Sequence, residues 1–177
     1  MSIHQRDGGC GCACGRAHPV DVLSQEHQTI LSVLGAMDAE LQQLHGGAAI
    51  RTPFWQSVLD FIEHYADRCH HGKEEQLLFA ELERAGLPAN HGPTACMRSE
   101  HEQGRLSRKQ MVHALQARDG KALADAAGGY VTLLREHIAK EDQVLFPMAK
   151  SMLDHAAVER LRAGFQRVEH VDMGEGA

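Results

Sequence analysis

His70-His71-Gly72-Lys73-Glu74-Glu75-Gln76-Leu77-Leu78-Phe79 recurs, with its order of residue types largely kept, as His137-Ile138-Ala139-Lys140-Glu141-Asp142-Gln143-Val144-Leu145-Phe146. Each copy sets a His four residues before a Glu. On a helix that spacing puts an imidazole and a carboxylate on one face, a turn apart. Two such faces turned toward each other enclose a space lined by nitrogen and oxygen.

Outward from the first block, Thr52-Pro53 starts a helix and Gly86-Leu87-Pro88 stops it near Ala85. Its expected inner stripe is Leu59, Glu63, Ala66, His70, Glu74 and Leu77, and Gly72 within it costs about 1 kcal/mol in propensity relative to Ala. The second block lies on a helix that follows Asp119-Gly120, with Ala126, Tyr130, Leu133, His137, Glu141 and Val144 inward and a bend or end near Pro147. Two more helices complete the set. One carries Val20, Leu23, His27, Ile30, Leu34, Met37 and Leu41 and stops at Gly46-Gly47. The other runs from Pro93-Thr94 to about Arg118 with Met97, His101, Gly104, Met111 and Leu115 on one stripe. Residues Leu153 to about Val168 form a short terminal helix, and no strand pair is evident. The fold class expected is all-α, an up-down-up-down four-helix bundle with an additional C-terminal helix. Residues 1–18 read as a flexible Cys/Gly-rich tail, 19–170 as the bundle, and 171–177 as a polar end.

The length, 177 residues, suits one domain with its own core. A formal charge of -6 without a long Lys/Arg cluster argues against nucleic acid or an anionic membrane as partner. No apolar run reaches the length of a signal peptide or a membrane span, so a cytoplasmic protein is expected. Three of the five Cys, namely Cys10, Cys12 and Cys14, fall in the tail. Their Cys-x-Cys-x-Cys spacing is a candidate soft-metal site, tighter than the usual zinc knuckle, beside the alternative of a tail without metal.

Thirteen His is the unusual number. Around one bundle axis the four stripes bring in His27, His70, His101 and His137, and the two blocks add Glu74 and Glu141. A single His-x3-Glu pair is usually a surface feature, and a lone His on an apolar stripe is usually a satisfied core imidazole. The conjunction carries the inference: four nitrogens and two carboxylates fit a pair of first-row metal ions, two imidazoles to each, with both carboxylates bridging and room for a bridging oxo or hydroxo group. The donor set favours iron, two ions per chain, with manganese or zinc as substitutes. Glu63 and Tyr130 precede His70 and His137 by the same interval. Each is either an ordinary bundle polar residue or a support for a ligand or bound molecule. His64 leaves the stripe and is expected outside the site. Gly104 either opens room for a small ligand or lets helices approach.

The sequence resembles hemerythrin-like proteins, the His-His-Glu (HHE) cation-binding domain family, over residues 19–150. The resemblance rests on Glu26-His27, on His70-x3-Glu74 with Leu77-Leu78-Phe79, on Glu100-His101, and on His137-x3-Glu141 with Leu145-Phe146-Pro147. It implies a non-haem di-iron centre binding dioxygen, nitric oxide or peroxide, in sensing or detoxification. Two alternatives stay open, an enzyme that processes peroxide or nitric oxide and a protein that stores or delivers iron or repairs iron centres. Oxygen-carrying members place a second His four residues after the third-helix His, and here that residue is Arg105. His71 is the candidate substitute, although ideal helix geometry turns it about 100° from His70.

Overall fold

The computed structural model describes residues 17–174, with side chains described to residue 168, so Cys10, Cys12 and Cys14 and residues 175–177 lie outside it. Among the described residues the chain forms five helices and no strand. Helix α1, Pro19–His45, is opened by a reciprocal cap: the Val20 N–H donates to His18 Nδ1 and the His18 N–H to Asp21 Oδ2. Helix α2 is continuous over residues 52–84 but changes winding. It is α-helical over Thr52–Phe61, π-helical over Ile62–His71 and again over Glu74–Leu78, then α-helical over Phe79–Arg84. Helix α3, Pro93–Ala117, ends at Arg118, whose φ of 55° reverses the chain. Helix α4 starts at an Asp119 cap on the Ala122 N–H. It is α-helical over Gly120–Lys140, π-helical over Glu141–Leu145 and α-helical over Phe146–Met152. Helix α5 is His155–Gly174.

Two apolar cores fix the topology. One gathers Met37 from α1, Trp55 and Ala66 from α2, Met111 from α3 and Leu134 from α4. The other gathers Val20 and Leu23, Leu78 and Phe79, Met97, and Leu145 and Phe146. Followed along the chain, α1 and α3 pass from the second core to the first, and α2 and α4 return. That alternation is the up-down-up-down order. Helix α5 lies across the second core through Ala157, Leu161 and Phe165. Between the two cores, on all four bundle helices, sits a buried polar layer.

The π-helical turns depart from the even 3.6-residue period. Their i to i+5 hydrogen bonds advance each residue by a smaller angle, which shifts the inner face. Leu78 and Leu145 are buried where the even stripe expects Leu77 and Val144, and Val144 is 58% exposed. Glu63 moves off the inner face as well. It is half-buried and binds Arg68 and Arg108 rather than facing the site. At Pro147 the helix neither ends nor breaks, because the missing N–H falls in the first turn of the α-helical segment that follows the π turn.

Candidate metal centre

Six of the expected ligands, His27, His70, Glu74, His101, His137 and Glu141, fall in the buried layer. They form two adjacent groups. His27, His70, Glu74 and Glu141 present ligand atoms within 4.8 Å of one another, and so do His71, Glu74, His101 and His137. The seventh member, His71, corrects the ideal-helix expectation that it faces away. It ends the first π-helical segment, where the altered winding brings two consecutive imidazoles onto one face. Its ring stacks on His101 at 3.8 Å, with 13° between planes. The imidazoles therefore number five rather than four, divided two and three.

The two carboxylates join the groups. Glu74 Oε1 lies 3.4 Å from His70 Nε2, and its Oε2 lies 3.4 Å from His101 Nε2. Glu141 Oε2 lies 3.2 Å from both His27 Nε2 and His137 Nε2. These contacts bring ring nitrogens and carboxyl oxygens close without hydrogen-bond alignment at most of the atoms. Eight buried polar atoms here lack a hydrogen-bond partner: His27 Nε2, His70 Nε2, both ring nitrogens of His71, and both oxygens of Glu74 and of Glu141. So many convergent lone pairs left unmatched in a folded interior are what a pair of cations would satisfy. The donor set, imidazole nitrogen with carboxylate oxygen, suits a binuclear first-row metal site.

Behind the ligands stands a second ring of carboxylates, one on almost every Nδ1. His27 Nδ1 pairs with Asp142 at 2.9 Å, His70 Nδ1 with Glu26 at 2.8 Å, His101 Nδ1 with Glu75 at 2.6 Å, and His137 Nδ1 with Glu100 at 3.0 Å. With Nδ1–H committed outward, the inward Nε2 is left as the lone-pair donor. The sequence marks Glu26 and Glu100 only as part of the family motif and does not single out Glu75 and Asp142, yet each of the four adjoins a candidate ligand in the chain: Glu26-His27, Glu74-Glu75, Glu100-His101 and Glu141-Asp142. The pairing crosses between helices, so the acid beside one ligand holds the imidazole of another helix. The Phe that closes each block also has a place, with Phe146 stacked on His27 at 5.2 Å and Phe79 on His101 at 6.0 Å.

Three of these acids are met in turn by a cation. Lys73 Nζ bonds Glu26 at 2.5 Å, Lys140 bonds Glu100, and Arg105 bonds Glu75 at 2.8 Å. Arg105 thus pairs with a carboxylate behind a candidate ligand. His64 is exposed and bonds the Asp60 carbonyl, outside the site as expected. Tyr130 is buried in the first apolar core, and an added Cβ on Gly104 would meet its ring at 3.6 Å.

Burial sets the protonation pattern of the metal-free site. It pushes His70 down to about 4 and, with the neighbouring His71, His101 down to about 3, so both are neutral donors at physiological pH. Burial and the charge of Glu141 raise Glu74, whereas Glu141 is held down against its burial by His137 and His27. Of the two buried carboxyls, Glu74 therefore carries the proton. Burial alone would raise Glu75, but its bonds to His101 and Arg105 outweigh it and hold the carboxyl at about 2.

The model for the hemerythrin HHE cation-binding domain matches residues 18–149. Among curated proteins, the chain is 25% identical over 161 residues to the uncharacterized proteins Rv1995 of Mycobacterium tuberculosis strain H37Rv and Mb2018 of Mycobacterium bovis, covering 86% of this chain. It spans 62% of the length of these relatives. No helix among the described residues is long and apolar enough to cross a membrane.

Proposed function

Since the chain belongs to the hemerythrin HHE cation-binding domain family, we infer that its buried His/Glu layer holds two iron ions and presents them to dioxygen, nitric oxide or peroxide, in sensing or detoxification. The observation that carries this reading is the sharing of Glu74 between two four-residue ligand groups, most of whose inward atoms lack a hydrogen-bond partner, the exceptions being His101 Nε2 and His137 Nε2, 3.1 Å from each other. Iron fits the mixture of imidazole and carboxylate better than the softer or harder alternatives, with manganese and zinc as substitutes. When bound, an iron pair supplies exchangeable electrons and an open position for a small ligand.

The chain's own residues do the rest. His27 and His70 serve one position, and His71, His101 and His137 the other, while Glu74 and Glu141 lie against both. The outer carboxylates fix the ring orientation and set the tautomer that turns the Nε2 lone pair inward in the neutral imidazole. The cations Lys73, Arg105 and Lys140 offset the charge of those acids. Apolar cores on both sides keep bulk water from the layer, which strengthens every electrostatic contact in it. Burial and the charge of Glu141 push Glu74 toward its protonated form in the metal-free layer, so a cation held there would be bound with release of acid.

The test is metal analysis together with the optical spectrum of the aerobic protein. Two irons per chain and the near-ultraviolet and visible bands of a bridged ferric pair are expected. A protein isolated and reconstituted with one ion or none overturns the reading. Mixing the reduced protein with each small ligand then separates stoichiometric adducts from turnover.

A further inference from the structure

Arg105 follows His101 by one turn on α3, and its guanidinium lies behind the three-histidine group rather than in it. Nε donates to Asp67 Oδ1 at 2.8 Å, Nη2 to Glu75 Oε1 at 2.8 Å, and Nη1 to Glu102 Oε1 at 2.6 Å. The same Glu75 oxygen takes the His101 Nδ1 bond at 2.6 Å, and the same Asp67 oxygen lies 3.6 Å from His71 Nδ1. One planar cation therefore touches the carboxylates behind both members of the stacked His71–His101 pair.

Removing that cation has a local consequence. Asp67 and Glu75 come together because a single fork binds both, and without it two partly buried carboxylates face each other with no compensating charge. They move apart, which loosens the rings in front of them. His71 is the more exposed to this, since 3.6 Å is too long for a hydrogen bond. Its place rests on the stack with His101 and on the Asp67 charge. The two-histidine group leans on different partners: Asp142 with Ser24 behind His27, and Glu26 with Lys73 behind His70. None of these contacts involves Arg105.

We propose that Arg105 is a positioning residue for the three-histidine metal position alone, setting the affinity of one of the two ions through Asp67 and Glu75 without touching either ion. The proposal rests on the binuclear reading above. A lysine in its place bonds one carboxylate at a time, so it restores the function in part.

The experiment loads the full chain anaerobically with ferrous iron and follows removal of each ion by a competing chelator, in the wild type, Arg105→Met, Arg105→Lys and His71→Ala. Helix content is recorded alongside by circular dichroism. Arg105→Met is expected to keep its helix content and one tightly held ion while the other weakens by roughly 10–100-fold, the usual cost of losing an outer partner. Arg105→Lys falls between. The Arg105→Met/His71→Ala double variant is no worse than His71→Ala, because both act on one position. Equal weakening of both ions, or two ions held as in the wild type, overturns the proposal. If the methionine variant does not fold, Arg105→Lys carries the same test, with selective weakening of one ion in support and unchanged or uniform affinity against. A wild-type chain that retains no ion pair refutes the binuclear reading instead, so the two failures are told apart.

Discussion

Stripping the metal should cost the fold far more than removing a surface ligand would. Eight buried polar atoms of the layer have no partner within the chain. An unsatisfied buried polar group costs about 1–3 kcal/mol. The low end applies here, because Glu74 keeps a proton in the metal-free chain and so lowers the local charge. An imidazole gives one nitrogen to an ion and His71 Nδ1 faces Asp67, so at ~1 kcal/mol for each of the remaining atoms the layer loses roughly 7 kcal/mol without its ions. For a chain of this size each kcal/mol moves the melting temperature by ~2–4 °C, so the loaded protein should melt on the order of 15–30 °C above the stripped one. The assay is a pair of thermal melts followed by circular dichroism, after exhaustive chelation and after anaerobic reloading with ferrous iron. A melting temperature that does not move would refute the reasoning, since the orphaned atoms would then be satisfied by other means.

Further outcomes follow from single contacts. His71→Ala should leave one retained ion per chain, whereas His64→Ala, at an exposed site bonded to the Asp60 carbonyl, should leave two, as read by metal analysis. Gly164→Val should destabilise the docking of α5 by about 1–3 kcal/mol, because an added Cβ meets Leu77 Cδ1 at 2.9 Å; chemical denaturation measures it, and an unchanged midpoint contradicts the packing. Gly104→Ala should instead stabilise the chain by about 0.4–1 kcal/mol, since 3.6 Å from the Tyr130 ring is ordinary contact, and a loss of stability would show that the space is needed. In metal-free protein, His70 folds with a pKa of about 4 against 6.5 unfolded, and His101 with about 3. The unfolded chain therefore takes up protons that the folded chain refuses. The contribution of these groups is full above pH 6.5 and lost as pH falls toward 4, and urea midpoints across that window should fall with it.

Much of this molecule is legible in its sequence because its punctuation is strong. Gly46-Gly47, Thr52-Pro53, Gly86-Leu87-Pro88, Pro93 and Asp119-Gly120 all fall within a residue or two of a helix end, where glycine, proline and capping side chains act through local backbone geometry. The buried ligands are legible for a different reason. His27, His70, His101 and His137 interrupt apolar stripes, and a polar residue at a core position needs a partner. What escaped is the winding. A π turn leaves composition unchanged and shifts the inner face by a fraction of a turn, so an even period puts Glu63 and Val144 inward and turns His71 out. The adjacent pairs His70-His71, Leu77-Leu78 and Leu145-Phe146 fall in or at the end of the π-helical turns. The role of the outer acids escaped because each sits beside one ligand and serves another, a relation that exists only once the helices are packed.

The position of the polar layer, with an apolar core at each end, also sets how the helices are aligned. Sliding any one of the four by a single turn would carry Glu74, Glu141 or an imidazole into a level built of Leu34, Met37 and Leu134 or of Leu78, Phe79 and Phe146. It would also strand the opposing ligands without partners. Leucine-rich faces alone tolerate such slippage, because one apolar level resembles the next. In this bundle the residues that receive the cations therefore also index the helices, and a sequence stripped of them would lose its single alignment before it lost its helices.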